Sequence, residues 1–276
     1  MGKRNSRIDS LSDDDLYKKW QADLEALKNR AYRLASAEET FRQTRSVAQV
    51  SPVLQKHPHL WEWMALAHIE SSLMRVRTFL DSAQQKTPSF LAMLKEMVKH
   101  GERVLTRTRF LETYEDDGLP HDDWHRIGNE HFEQFAPRGS DAVPAVSFRT
   151  DLDDLDRAVG RLKVYVSQAV AHPKGEVSGP QPKPLSWKDY DSALDTIFEM
   201  VKKYYALLHQ AGLMSIVPSV LDPWKRVYAE AWLPTGVGVP AFKSVDDSSE
   251  CVFRTKPDTD SGRSRTPQLV GFTAGS

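Results

Sequence analysis

The sequence predicts an all-α protein, a multi-helix bundle that ends in a disordered C-terminal tail. Three observations predict it. Apolar residues recur at steps of three and four along several long stretches, which marks one face of a helix. Caps, acidic first turns and prolines sit where those stretches begin and end. No stretch with strand periodicity competes with them. The expected division is a flexible N-terminus over 1–11, a helical bundle over 12–234 and a tail over 235–276.

The first helix opens at Ser12, a capping residue, with Asp13, Asp14 and Asp15 at the positive end of the helix dipole. Leu16, Trp20, Leu24, Leu27, Ala31 and Leu34 then line one face, and the pattern fades near Thr40, before Pro52. A second helix spans Pro58 to Asp81 and is apolar on nearly every side, which predicts a central, buried position. A third opens at Thr87-Pro88 and is expected to bend at Gly101 and reach Tyr114. Residues 115–149 read as irregular, with a short helix near Asp123–Phe135 between turns at Gly118-Leu119-Pro120 and Pro137-Arg138-Gly139. A fourth helix is capped by Thr150 and ends at Ala171-His172-Pro173. After a Pro/Gly-rich loop, Ser186-Trp187-Lys188-Asp189 forms a capping box for a fifth, which stops at Gly212. Asp222-Pro223-Trp224 starts a last short helix through Trp232.

Composition narrows the function. The 37 Lys+Arg and 38 Asp+Glu nearly cancel, so the chain has no bulk basic excess with which to grip nucleic acid, and RNA contacts would be local. One cysteine, Cys251, excludes a disulfide framework within the chain. No apolar run approaches the roughly 20 residues that span a bilayer, and no apolar stretch follows Met1-Gly2-Lys3-Arg4 as in a secretory leader. Met1-Gly2 with Ser6 loosely fits N-myristoylation. The expectation is a cytoplasmic protein without a membrane segment.

No phosphate-cradling glycine loop, paired CxxC or HExxH is present, and no cofactor is implied. Four weaker constellations remain. His172 lies at a helix C-terminus, where it serves either as a cap or as a proton-transfer group near neutral pH. Arg126 is followed after four residues by His131, and an Arg that stabilises a phosphate beside a His that moves a ribose proton is coherent chemistry. His121, Asp122, Asp123, His125 and His131 could hold a divalent ion, although a polar turn is the simpler reading and no metal is expected. Lys95, Lys99, Arg103 and Arg107, four apart, form a basic stripe that either touches phosphates or faces solvent.

Several segments, taken in order, carry a family resemblance. They are Leu60-Trp61-Glu62-Trp63-Met64-Ala65-Leu66-Ala67, Arg75-Val76-Arg77-Thr78-Phe79-Leu80-Asp81, Asp151-Leu152-Asp153-Asp154-Leu155, Tyr165 to His172, Tyr204-Tyr205-Ala206-Leu207-Leu208, and Asp222-Pro223-Trp224 with Ala231-Trp232. This order, over about 55–234, resembles HEPN-domain proteins of the abortive-infection AbiU type. The resemblance implies a helical bundle, a homodimer, and metal-independent RNA cleavage by a toxin or phage-defence effector. It also implies a site in which an Arg precedes a His by four to six residues. His172 fits the His, while 165–167 hold Tyr165, Val166 and Ser167, and the nearest upstream cations are Lys163 and Arg161. The candidate site is then His172 with Lys174, Arg77 and Asp81, or with a cation from a second subunit. The alternative is a dimerising scaffold or binding module whose HEPN site has degenerated.

Overall fold

The structure is a computed structural model that describes residues 10–81, 87–115, 121–166, 186–213, 215–216, 253–254 and 268–269. It is predominantly α-helical. The helices are α1 (Asp13–Val50), α2 (Pro52–Lys56), α3 (Pro58–Thr78), α4 (Phe90–Val104), α5 (Arg107–Glu115), α6 (His121–Phe132), α7 (Ala145–Tyr165) and α8 (Trp187–His209). The only strands among the described residues are β1 (Phe253–Arg254) and β2 (Gln268–Leu269), an antiparallel pair with Phe253 opposite Leu269. The expected helix over 222–232 and Cys251 lie outside the described residues, as does the expected disordered tail apart from this pair. No helix of the described residues is long and apolar enough to cross a membrane.

The chain divides into two compact units. The first comprises Met1–Ala31, Thr78–Gly160 and Ala193–Ile216. In it Ser12 caps α1 as expected, its hydroxyl accepting from the Asp15 amide at 3.1 Å. Leu16, Trp20, Leu24, Leu27 and Ala31 are fully buried, as their spacing predicts. The core is aromatic: Phe90 lies 6.1 Å from Phe79 and 6.3 Å from Tyr204, and Phe148 lies 6.4 Å from Tyr204. Burial of each such ring contributes about 2–3 kcal/mol.

The second unit comprises Tyr32–Arg77, Arg161–Ser192 and Val217–Ser276. Leu34, Phe41, Val47, Leu54, Ile69, Leu73, Val76, Leu162 and Tyr190 are among its buried side chains. The capping box forms as expected: Ser186 Oγ accepts from the Asp189 amide at 3.1 Å, and Asp189 Oδ2 accepts from the Ser186 amide at 3.0 Å.

Several expectations are corrected. Helix α1 runs ten residues beyond Thr40, to Val50, because Phe41, Val47 and Ala48 continue its buried face. Helix α3 is not buried on every side: Ala65, Ile69, Ser72, Leu73 and Val76 point inward, while Leu60, Trp63 and Met74 are 47%, 65% and 41% exposed. Ser89, not Thr87, caps α4 through the Ala92 amide at 3.2 Å. Gly101 does not bend α4; it is small because a Cβ there would lie 3.0 Å from Phe148 Cδ2. The break comes later, at Leu105-Thr106, where Val143 donates to the Leu105 carbonyl at 3.0 Å. Thr150 sits inside α7, which starts at Ala145, and its hydroxyl donates back to the Val146 carbonyl at 3.1 Å. Helix α8 ends at His209, and Gln210, with φ 50°, takes the left-handed position expected of Gly212.

Candidate functional site

His172 and Lys174 lie outside the described residues. Arg77 lies in the last turn of α3 and is half-buried. Asp81 follows that helix, and its backbone carbonyl accepts from the Ser89 hydroxyl at 2.6 Å.

Arg126 and His131 both project from α6, which is regular through Gly128 and Asn129. Five residues of regular helix turn two side chains about 140° apart and separate them by about 7.5 Å along the axis. Arg126 pairs with Glu130 at 3.0 Å on the exposed surface. The two residues therefore do not converge on one phosphate from α6 alone. His125, on the same helix, has Nδ1 3.0 Å from Asn129 Nδ2. Among the described residues no group of three or more His, Cys, Asp or Glu is arranged to hold a metal ion.

Three of the four residues of the basic stripe stay exposed on α4. Lys95 and Lys99 are exposed on α4, and Arg103 Nε pairs with Asp13 Oδ1 at 3.2 Å. Arg107 leaves the stripe because the chain breaks after Val104, and it turns inward as the first residue of α5. Its Nε donates to the Ser140 carbonyl at 2.9 Å, its Nη1 bonds Asn129 Oδ1, and its guanidinium covers the Phe132 ring at 4.8 Å. It braces the loop before α7, and its position answers a structural need.

Two clusters of titratable side chains escaped the sequence reading. In the second unit, one oxygen of Glu38 gathers three donors from two other helices. Glu38 Oε1 accepts from Ser72 at 2.8 Å and from the Tyr190 phenol, and His68 Nε2 lies 3.0 Å away. Burial pushes the Glu38 carboxyl up, but the hydrogen bonds from His68, Tyr190 and Ser72 outweigh it and hold the group below its ordinary value. Burial, then the Glu38 charge, raises the Tyr190 phenol far above its ordinary value. His68 stacks flat on Phe41, centroids 4.0 Å apart, and Trp61 stacks on Phe41 at 5.4 Å. Ser72 and Glu38 approach the same imidazole nitrogen, and Ser72 is 1% exposed. A nucleophilic triad needs the serine and the carboxylate on opposite ring nitrogens. This cluster is therefore a polar pin.

In the first unit, Glu25 and Lys28 of α1 meet Tyr205 and His209 of α8. Lys28 Nζ lies 2.7 Å from Glu25 Oε2, 3.3 Å from the Tyr205 hydroxyl and 4.4 Å from the centre of the Tyr205 ring. His209 stacks on the same ring, centroids 4.5 Å apart. Burial first, with the Lys28 charge adding to it, lowers the His209 imidazole below its ordinary value, against the pull of Glu25 and the Gln21 carbonyl. The imidazole is thus neutral near pH 7 and able to accept a proton. Nearby, the Leu208 carbonyl accepts from the Tyr17 hydroxyl at 2.9 Å and from Gln21 Nε2 at 2.8 Å, which caps the end of α8.

The sequence held partial signals for both clusters. Glu25 and Lys28 are three apart, Tyr205 and His209 four apart, and His68 and Ser72 four apart, so each pair shares a helical face. Which pairs meet across helices is a tertiary fact that spacing does not carry. No family model matches the chain, and no curated protein and no solved structure matches it.

Proposed function

We propose that the chain is a HEPN-like helical protein with a phage-defence or toxin role exercised on RNA in the cytoplasm, as a homodimer and without a metal. In this reading His172 moves the proton of a ribose hydroxyl. The supporting observation is α7, the late helix on which the family resemblance turns. Its inward residues Phe148, Leu155, Val159 and Leu162 are buried, and His172 follows it in sequence. The positive charge has to come from Lys174, from Arg77 or from a second subunit, because Arg161 is bound to Asp189 at 2.6 Å. The test is RNA cleavage in EDTA by the purified protein and by His172→Ala. The expected result is cleavage that falls at least about 100-fold in the variant. Equal rates, or no cleavage by either protein, would refute this role for His172.

A second reading, a non-catalytic dimerising module, has its own observation. The outward face of α3 leaves Leu60, Trp63 and Met74 in solvent, and exposed apolar side chains in a row mark protein contacts more often than chance. Growth arrest on expression that His172→Ala relieves would decide against it.

A further inference from the structure

We infer that the corner formed by the end of α1, α2 and the start of α3 docks the protein on an anionic lipid bilayer surface. Val50, Val53, Leu60 and Trp63 enter the interface, and Lys56 meets the headgroups. Such docking depends neither on RNA cleavage nor on a dimer.

Apolar exposure is concentrated at this corner. Among the described residues seven large apolar side chains stand in solvent, and four of them fall between positions 50 and 63. Val50, Val53 and Leu60 are 45%, 47% and 47% exposed, and Trp63 is 65% exposed. Single exposed apolar residues are ordinary, whereas a group of them marks a contact site.

The corner is a built element. Ser51 is buried and caps α2, its hydroxyl accepting from the Leu54 amide at 3.3 Å. Leu54, 3% exposed, anchors α2 from within. The His57 amide donates to the Val53 carbonyl at 3.2 Å, and the Leu60 amide donates to the His57 carbonyl at 3.2 Å, so α3 starts without slack. Every residue from Gln55 to Leu60 is held outward. Trp61 packs inward on Phe41, centroids 5.4 Å apart. Two residues of helix turn a side chain by about 200°, which sends Trp63 the opposite way.

Charge selects the partner. Residues 41–61 hold Arg42, Arg45, Lys56, His57 and His59 and not one Asp or Glu, in a chain whose charges otherwise nearly cancel. Lys56 is exposed at the tip. Arg42 reaches Asp191 at 3.3 Å from the surface, and Arg45 lies over the Trp187 ring at 5.8 Å. Glu62, the first carboxylate after the stretch, bonds His59 Nδ1 at 3.2 Å. Apolar side chains rimmed by cations match an anionic interface, where Trp and Lys put apolar bodies among the acyl chains and polar ends among the headgroups. A nucleic acid would use the cations and leave Val50, Val53 and Leu60 in water. Self-association through α3 takes in Met74 and leaves Val50 and Val53 without a role. Four side chains reach only into the interface, so the attachment is reversible and salt-sensitive.

The experiment floats the full chain with vesicles of phosphatidylcholine, alone or mixed with phosphatidylglycerol. The expected result is binding to the mixed vesicles at least about tenfold stronger than to the neutral ones, and weaker in high salt. Trp63→Ser should weaken it at least about tenfold and Lys56→Glu about fivefold, while Met74→Ser leaves it unchanged. Melting curves confirm that each variant folds. Trp63→Phe supplies a second readout: it should still bind, yet lose most of the quenching of tryptophan fluorescence by dibrominated lipid. No flotation with either vesicle, or equal flotation with both, overturns the inference. So does a Trp63→Ser protein that binds like the wild type, or quenching that Trp63→Phe leaves intact. A loss in Met74→Ser equal to that in Trp63→Ser assigns the face to self-association and overturns it. Single-stranded RNA bound through Trp63 by a chain that ignores vesicles overturns it as well.

Discussion

Glu38 shows how much one buried atom can hold. A single carboxylate oxygen of α1 receives Ser72 and His68 from α3 and Tyr190 from α8. Removing the charge leaves those donors with a weaker partner in a place that water does not reach. Glu38→Gln is expected to lower stability by about 1–3 kcal/mol in urea or thermal unfolding. The pH dependence follows from the direction of the shift. A carboxyl held below its ordinary value of 4.5 contributes stability that is present above that value and is lost as pH falls through the folded one. The wild-type protein should therefore lose more stability between neutral pH and pH 3 than Glu38→Gln does. Equal losses would show that the carboxyl is not ionised in the fold. Only the four-residue spacing of His68 and Ser72 was legible in the sequence; Glu38 is there one acidic residue of a long helix, and nothing local says that it meets them.

Helices were the most legible level, and their ends the least. The three-and-four spacing of α1 placed Leu16, Trp20, Leu24, Leu27, Ala31 and Leu34 correctly in the core. The capping box of α8 was legible because Ser and Asp three apart satisfy each other locally. Glycine misled twice, and for one reason. Its flexibility suggested a bend at Gly101 and a stop at Gly212, but its lack of a side chain mattered more at the first and neighbouring side chains decided the second. At Gly101 the Phe148 ring fills the space a methyl group would need. Gly101→Ala should therefore destabilise the protein by about 1–3 kcal/mol, although alanine is the better helix former. The double variant with Phe148→Leu should recover part of that loss. A stabilised single variant would mean the ring gives way freely.

At the scale of the whole molecule, composition spoke to class but left the chemistry open. Near-zero net charge and periodic helices predicted a helical protein without a bulk basic surface, and the structure is predominantly helical. The catalytic candidates were harder to read, because convergence across helices depends on where each helix breaks. The break after Val104 alone turned Arg107 from a stripe residue into a half-buried brace. The apolar sequence of α3 was likewise ambiguous, since burial on every side and a second, unfilled contact face produce the same pattern. Trp63→Glu separates these meanings. It should change monomer stability by no more than about 0.5 kcal/mol, as an exposed site permits. If α3 carries the self-association of the second reading, the variant should sediment as a monomer at concentrations where the wild type is a dimer. A large loss of stability would instead mean the indole is packed.

The Arg107 brace also decides how the protein meets a protease. Arg138 and Gly139 stand exposed in a turn of the kind trypsin prefers. Yet the Ser140 amide donates to the Pro137 carbonyl at 2.9 Å, the Arg107 amide donates to the Asp141 carbonyl, and the Arg107 guanidinium donates to the Ser140 carbonyl. Cleavage requires several residues to unfold into an extended strand in the enzyme's cleft, and each of those bonds resists it. The native chain should survive brief trypsin treatment at Arg138, while Arg107→Ala should be nicked there many times faster. Rapid cutting of the native chain at Arg138 would show that the brace does not hold in solution. An arginine that counted by charge as a phosphate contact thus becomes, by position, the guardian of a scissile turn.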